Sequence, residues 1–233
     1  MIKIENTEVC GWEAAIRGMR NPMNSWEQSD SELCKGAAGF EDCHVSPYGM
    51  CPRHDDFRQD IFCVGKNDFD LMRRLRKAGT DHRKFMRMIT VSCDLVAPLY
   101  WWKEYDTYKV GTVANSCSTM HKIHAKEFAL DDFSHEHLDE WSKNLLERVI
   151  EVLNANRNNF IRKQYRKDYW WQMIQLLPTS YNQCRTVMLN YEVLTNIYHS
   201  RKNHKLDEWH TFCEWIEKLP YSEIITGGKE NAV

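Results

Sequence analysis

Between Ala97 and Ile123 the chain reads APLYWWKEYDTYKVGTVANSCSTMHKI. The stretch starts aromatic and ends in small polar residues, Gly111 to Thr119, with Lys109, Cys117, His121 and Lys122 in or beside them. A core segment has no use for so many hydroxyl, amide and thiol groups together, whereas a loop that wraps a polar ligand does. Cys117 carries the sharpest chemistry. A thiol attacks as its thiolate, which a neighbouring Lys109, His121 or Lys122 would favour. A small residue filling a loop is the simpler account of the same cysteine.

Two other groups of residues could do chemistry. Cys34, Cys43, His44, Cys51 and His54 lie close in sequence, with Cys63 just beyond. Structural zinc takes four such ligands with pairs at short spacing. Cys51-Pro-Arg-His54 is the one tight pair, so free cysteines in a folded loop are expected and no metal. From Arg157 to Lys167, basic residues interleave with Tyr165, and Tyr169, Trp170 and Trp171 follow. Single-strand nucleic-acid binders need that mixture. A helix with a basic outer and an aromatic inner face gives it too, and is preferred, so no nucleic-acid partner is expected.

Composition narrows the class. A chain of 233 residues makes one large domain or two small ones. At 42% hydrophobic it can bury a full core. Net charge is −2, so there is no sequence-wide basic footprint for nucleic acid. No apolar run approaches the ~20 residues that span a bilayer. MIKIENTEVC lacks the basic and apolar regions of a signal peptide, which points to a cytoplasmic protein without a membrane partner. The nine cysteines, an odd number, then read as reduced thiols rather than a disulfide framework.

The elements that must position these residues follow from spacing. Ile2 and Ile4 begin a short strand. Trp12, Ala15, Ile16 and Met19 make a helix that Asn6 or Thr7 could cap, ending near Asn21-Pro22. Ser25 to Asp60 has no period and reads as a long loop. Asn67-Asp68 caps a helix that Gly79 stops, its arginines a solvated face. Phe85 to Val96 alternates as a half-buried antiparallel strand, with Ile89, Val91, Cys93 and Leu95 on one face. Ala97-Pro98 ends it, and Leu99 to Tyr105 is a short helix. Ser134 caps a long helix with a Leu138, Trp141, Leu145, Val149, Leu153 stripe, which Asn154 to Asn159 breaks. Phe160 to Leu177 resumes as a helix, Gln183 to Leu189 is a strand, and Asn190 caps a helix carrying Val193, Leu194, Ile197 and Tyr198. A last helix presents Trp209, Phe212, Cys213 and Ile216, and a tail frays from Thr226. The expectation is a single α+β domain over 1–233, a central antiparallel sheet flanked by long helices, with an irregular insertion at about 25–63.

This order resembles the flavin-dependent thymidylate synthases, the ThyX family. Asp81-His82 precedes the strand as the family's histidine does. VAPLYWW at Val96 to Trp102 is similar to the segment leading into the family's signature loop. LLPTSYNQCRTVMLNYEVLTNIYHSR, Leu176 to Arg201, resembles its Leu-Pro, strand, asparagine and helix ending in arginine, and Asp207-Glu208-Trp209 a later tryptophan-containing motif. The likeness covers most of Lys66 to Trp215 in order and spacing. It implies a homotetramer with active sites between subunits, binding FAD and the pyrimidine nucleotide dUMP, with methylenetetrahydrofolate as carbon donor and NADPH as reductant. It places His82, Tyr108, Lys109, Asn115, Asn190 and Asn196 at the cofactor. It places Glu104, Thr107, Ser116, Cys117, Ser118, Thr119 and Arg201 at the substrate. Arg201 and Cys117 would be catalytic, the arginine by gripping the pyrimidine with two directed, permanently charged donors.

The signature itself, RHRxxSxNExSxRY, is replaced by Thr107 to Met120. Its first and last arginines become Thr107 and Thr119, its histidine Tyr108, its middle arginine Lys109 and its glutamate Asn115. The serine beside the pyrimidine becomes Cys117, and Ile174 and Gln175 stand where a further arginine is expected. Asn190 alone is explained by a helix cap, and Arg201 by a helix dipole. Two functions stay open: a flavin-dependent enzyme acting on a pyrimidine deoxynucleotide, or a ThyX-fold protein without catalysis that binds a nucleotide, a flavin or a protein partner.

Overall fold

The computed structural model describes residues 2–33 and 62–228 of the chain. In order, its elements are β1 (Lys3–Cys10), α1 (Trp12–Arg20), β2 (Glu32–Leu33), β3 (Phe62–Cys63), α2 (Lys66–Lys77), β4 (Thr90–Pro98), α3 (Leu99–Tyr105), β5 (Val113–Ser116), α4 (Thr119–Lys122), α5 (Glu140–Arg162), α6 (Lys167–Leu176), β6 (Asn182–Asn190), α7 (Tyr191–Arg201), α8 (Asp207–Glu217) and α9 (Glu223–Thr226). The main sheet is antiparallel in the order β1-β4-β6-β5, and β2 pairs with β3 alone. The α+β class with a central antiparallel sheet is as expected.

β4 lies inside that sheet, between β1 and β6, and its burial alternates. Val91, Cys93, Leu95 and Ala97 are buried, while Thr90, Ser92, Asp94 and Val96 are only partly so. Pro98 then sits at φ −69 and ψ 150, which its ring favours, and starts α3 with no amide to satisfy. The buried face carries the larger core: Trp101 and Trp102 of α3, Tyr191 and Leu194 of α7, Trp209 and Phe212 of α8. A second cluster joins Leu146, Ile150, Leu153 and Phe160 of α5 to Met173 of α6 and to Phe128 and Phe133.

Several local expectations fail because the cap or partner comes from elsewhere in the chain. Gly11, at φ 93, precedes α1; Asn6 and Thr7 lie in β1, where Asn6 bonds Asp94 across the sheet at 2.7 Å. α2 is capped by Asp30, whose carboxylate accepts from the amides of Asn67 and Asp68 at 2.8 and 3.1 Å. Asp68 is instead fully buried against Arg20 at 2.6 Å. Asp139, not Ser134, caps α5, accepting from the Ser142 amide at 2.8 Å; Ser134 donates to Asn182. α5 runs unbroken through 154–159, because Asn154 bonds both backbone groups of Phe128 at 2.8 and 2.9 Å and Asn156 bonds Val152. The break comes at Gln164 and Tyr165, both with positive φ. Leu138, Trp141 and Leu145 of the expected stripe are exposed, the buried face of α5 being rotated from them. The polar run after Gly111 is an edge strand in part, β5, rather than all loop. A helical turn, α9, lies just before the expected frayed tail.

Cys34, Cys43, His44, Cys51 and His54 lie outside the described residues; Cys63 is buried in β3. No described cluster of His, Cys, Asp or Glu could hold a metal. No described helix is long and apolar enough to cross a membrane.

Candidate functional site

Arg201 ends α7, and α3 ends beside it. Its Nη1 donates to Glu104 Oε2 at 2.6 Å and its Nε to the Tyr108 hydroxyl at 2.9 Å. Trp209 of α8 supplies a stacking face 4.8 Å from the guanidinium centre, and its indole N–H donates to the same Glu104 oxygen at 3.2 Å. His204 approaches that oxygen at 3.3 Å. Glu104 Oε1 and Arg201 Nη2 have no partner among the described residues. Tyr108, expected at the cofactor, and Glu104 and Arg201, expected at the substrate, thus form one cluster. Thr107 turns away, its hydroxyl closing the α3 end by donating to the Glu104 carbonyl at 2.7 Å.

The strand after this cluster leads to Cys117. Asn115 and Ser116 are exposed on β5, paired with Thr186 and Arg185 of β6. Ser118 accepts from the His121 amide at 3.0 Å and fixes the α4 turn. Cys117, Ser118, Thr119 and Lys122 line a cavity of about 320 Å³ closed by Phe128, Tyr181, Gln183 and Cys184. Lys126 and Asp132, also on its wall, pair with each other.

Arg185 ties the two places together and was not anticipated. Its Nη1 donates to Asp106 at 2.8 Å, its Nε to Gln183 at 3.0 Å, and Gln183 donates to the Cys117 carbonyl at 2.9 Å. The guanidinium also lies 4.1 Å from the Trp102 ring centroid. Its parity in β6 is that of buried Val187 and Leu189, so a charge on the inward face of an apolar strand was the available signal.

The remaining expected cofactor residues lie elsewhere. Asn190 caps α7, accepting from the Val193 amide at 3.0 Å. Its amide nitrogen also fills the space a side chain at Gly111 would need: a Cβ there would stand 2.9 Å away, and Gly111 has φ +80. His82 is exposed at the start of a 3₁₀ turn, and Asn196 is exposed 3.5 Å from the next residue, Arg83. Arg83 pairs with Glu192 at 2.9 Å, and Arg76 reaches His199 at 3.2 Å. Burial and then the charges of Arg76, Lys202 and Arg83 pull the His199 imidazole below its usual value. Arg76, Arg83 and Lys202 outnumber the one paired acid, Glu192, so this patch carries net positive charge. Lys109, the residue after Tyr108, is exposed.

No protein-family model and no curated protein matches the chain. Solved structures do. Thymidylate synthase X from Helicobacter pylori, with FAD and dUMP, superposes with a TM-score of 0.62 at 13% identity, over 96% of each chain. The fold is ThyX-like. A second structure of the H. pylori ThyX with FAD and dUMP gives 0.60 at 14% identity, over 95% of this chain and 96% of that one. The UMP/dUMP methylase PolB from Streptomyces cacaoi, bound with 5-Br dUMP, gives 0.58 at 11% identity, over 97% and 95%. At such identities the likeness is one of fold.

Proposed function

We propose that this protein is a ThyX-like, flavin-dependent enzyme that binds a pyrimidine deoxynucleotide of the dUMP type and alters C5 of its base. The observation that carries the reading is the Arg201–Glu104–Tyr108–Trp209 cluster, where the end of α3 with Tyr108 just beyond it meets the end of α7 and the first turn of α8, two stretches 97 positions apart at the Glu104–Arg201 pair. Beyond the Nη1–Oε2 contact, Glu104 Oε1 remains an acceptor and Arg201 Nη2 a donor, neither with a partner among the described residues. Together they complement the N3–H and a carbonyl oxygen of uracil, and Trp209 and Tyr108 bound the cluster with aromatic surface. Lys122 and the hydroxyls of Ser118 and Thr119 supply the charge and donors that a phosphate needs without arginine forks. Cys117 is the nucleophile of this reading: its sulfur would bond C6 of the base, and the C5=C6 electron pair would move to C5.

His82, Asn196 and Arg83 line the cationic surface that would hold the FAD diphosphate. A bound flavin would supply the hydride, drawn from NADPH, and methylenetetrahydrofolate the carbon. The exposed Trp141 and Leu145 of α5 suit the subunit contacts of a homotetramer.

A second reading rests on Glu104. By pairing with Arg201 it offsets the positive charge that would favour ionisation at N3, which suits a protein that binds the nucleotide without turning it over. Flavin absorption and C5-hydrogen exchange separate the two. The enzyme binds FAD saturably and exchanges the C5 hydrogen of dUMP; the binding protein takes up dUMP without exchange. A protein indifferent to both ligands contradicts both readings.

A further inference from the structure

Cys117 directly follows β5, and the ladder continues to it. Ser116 pairs with Arg185, so Cys117 falls opposite Cys184, and its amide donates to the Cys184 carbonyl at 3.0 Å. Directly opposed residues hold their Cβ atoms about 4.5–5.5 Å apart. A disulfide needs about 3.5–4.5 Å. The edge strand has solvent on its far side and can close that difference. Both cysteines are free thiols; Cys117 is exposed and Cys184 half-buried, and both line the 320 Å³ cavity. Burial, then the neighbouring Cys117 and Asp94, push the Cys184 thiol up. Cys93 and Cys213 differ, being buried, with thiols pushed up to about 12 and about 11 chiefly by that burial.

We propose that Cys117 and Cys184 form an oxidisable dithiol, a modification site at which a low-molecular-weight disulfide such as oxidised glutathione drives formation of a cross-strand disulfide. Cys117, the exposed partner, attacks the small disulfide as its thiolate. One glutathione leaves, and Cys117 carries the other as a mixed disulfide. Cys184 gives up its proton and attacks the Cys117 sulfur, releasing the second glutathione. Two protein thiols are oxidised to one disulfide while one glutathione disulfide becomes two thiols. The link pins the loop after β5 to β6 and removes both thiols from the cavity. It does not depend on the nucleotide reading, and its test is independent of any ligand.

The test is a non-reducing peptide map of the full chain after incubation with oxidised glutathione. The expected result is one cross-linked peptide pair containing Cys117 and Cys184, lighter by two hydrogens than the reduced pair, lost on adding dithiothreitol. The linked protein melts at a higher temperature than the reduced one, because a long loop is closed in the unfolded chain. In Cys184→Ser the reaction stops with glutathione on Cys117. A wild-type map in which Cys117 retains glutathione while Cys184 still alkylates, or in which either pairs with another cysteine, overturns the proposal.

Discussion

Glu104 decides what Arg201 can do. One carboxylate oxygen takes the guanidinium, the Trp209 indole and the approach of His204, so the arginine is fixed before any ligand arrives. Glu104 is about a third exposed, at 35%, so solvent screens the pair. Glu104→Ala should therefore cost only about 1 kcal/mol in a denaturant titration, while weakening dUMP binding if the free oxygen reads N3–H. Arg20–Asp68 is the contrasting case, with side chains 3% and 0% exposed. Burial pushes the Asp68 carboxyl up, but hydrogen bonds from Ser31, Ser29 and Arg20 outweigh it and hold the value below the usual one. A depressed carboxyl contributes stability above its unfolded value, near 4, and loses it as pH falls through the folded one. Asp68→Asn should cost about 3–5 kcal/mol at neutral pH, with the gap to wild type narrowing below about pH 4. An equal gap at both pH values contradicts this. The resemblance to the ThyX family singles out Arg201, Tyr108 and Glu104, but not the Glu104–Arg201 pair, because that contact joins segments 97 positions apart. Arg185 could have been found by its parity alone.

Elements whose caps and partners are local could be read from the chain. β4 alternates, although it starts at Thr90 rather than Phe85 because Arg83–Arg87 forms a 3₁₀ turn, and Asn190 caps the helix that follows β6. α2 and α5 misled because Asp30 and Phe128 act from other segments, and because a helix with apolar residues on two faces does not say which is buried. Leu153 is fully buried and Leu145 is 62% exposed. Leu153→Ala should therefore cost about 2–5 kcal/mol and Leu145→Ala about 0.5 kcal/mol or less, measured on the same chain. Similar costs at both positions would place the buried face wrongly. Gly111→Ala should destabilise as well, since its positive φ and the Asn190 amide leave no place for a methyl group.

At the scale of the molecule, the fold was foreseen through element order rather than identity: strand, proline, aromatic helix, two long helices, strand, asparagine-capped helix. What order could not convey is that the replaced signature forms an edge strand and a cavity without arginines. If the sites are shared between subunits, light scattering should report four chains per particle, and a monomer at all concentrations would remove that part of the proposal. The central claim is nucleotide recognition by the Arg201 cluster, and calorimetric titration of dUMP into wild type and Arg201→Ala, each with and without FAD, tests it most directly. The account predicts saturable binding to the wild type, weakened at least tenfold in Arg201→Ala, whose thermal unfolding stays cooperative. No heat of binding to the wild type, or equal affinity in the two proteins, would contradict it.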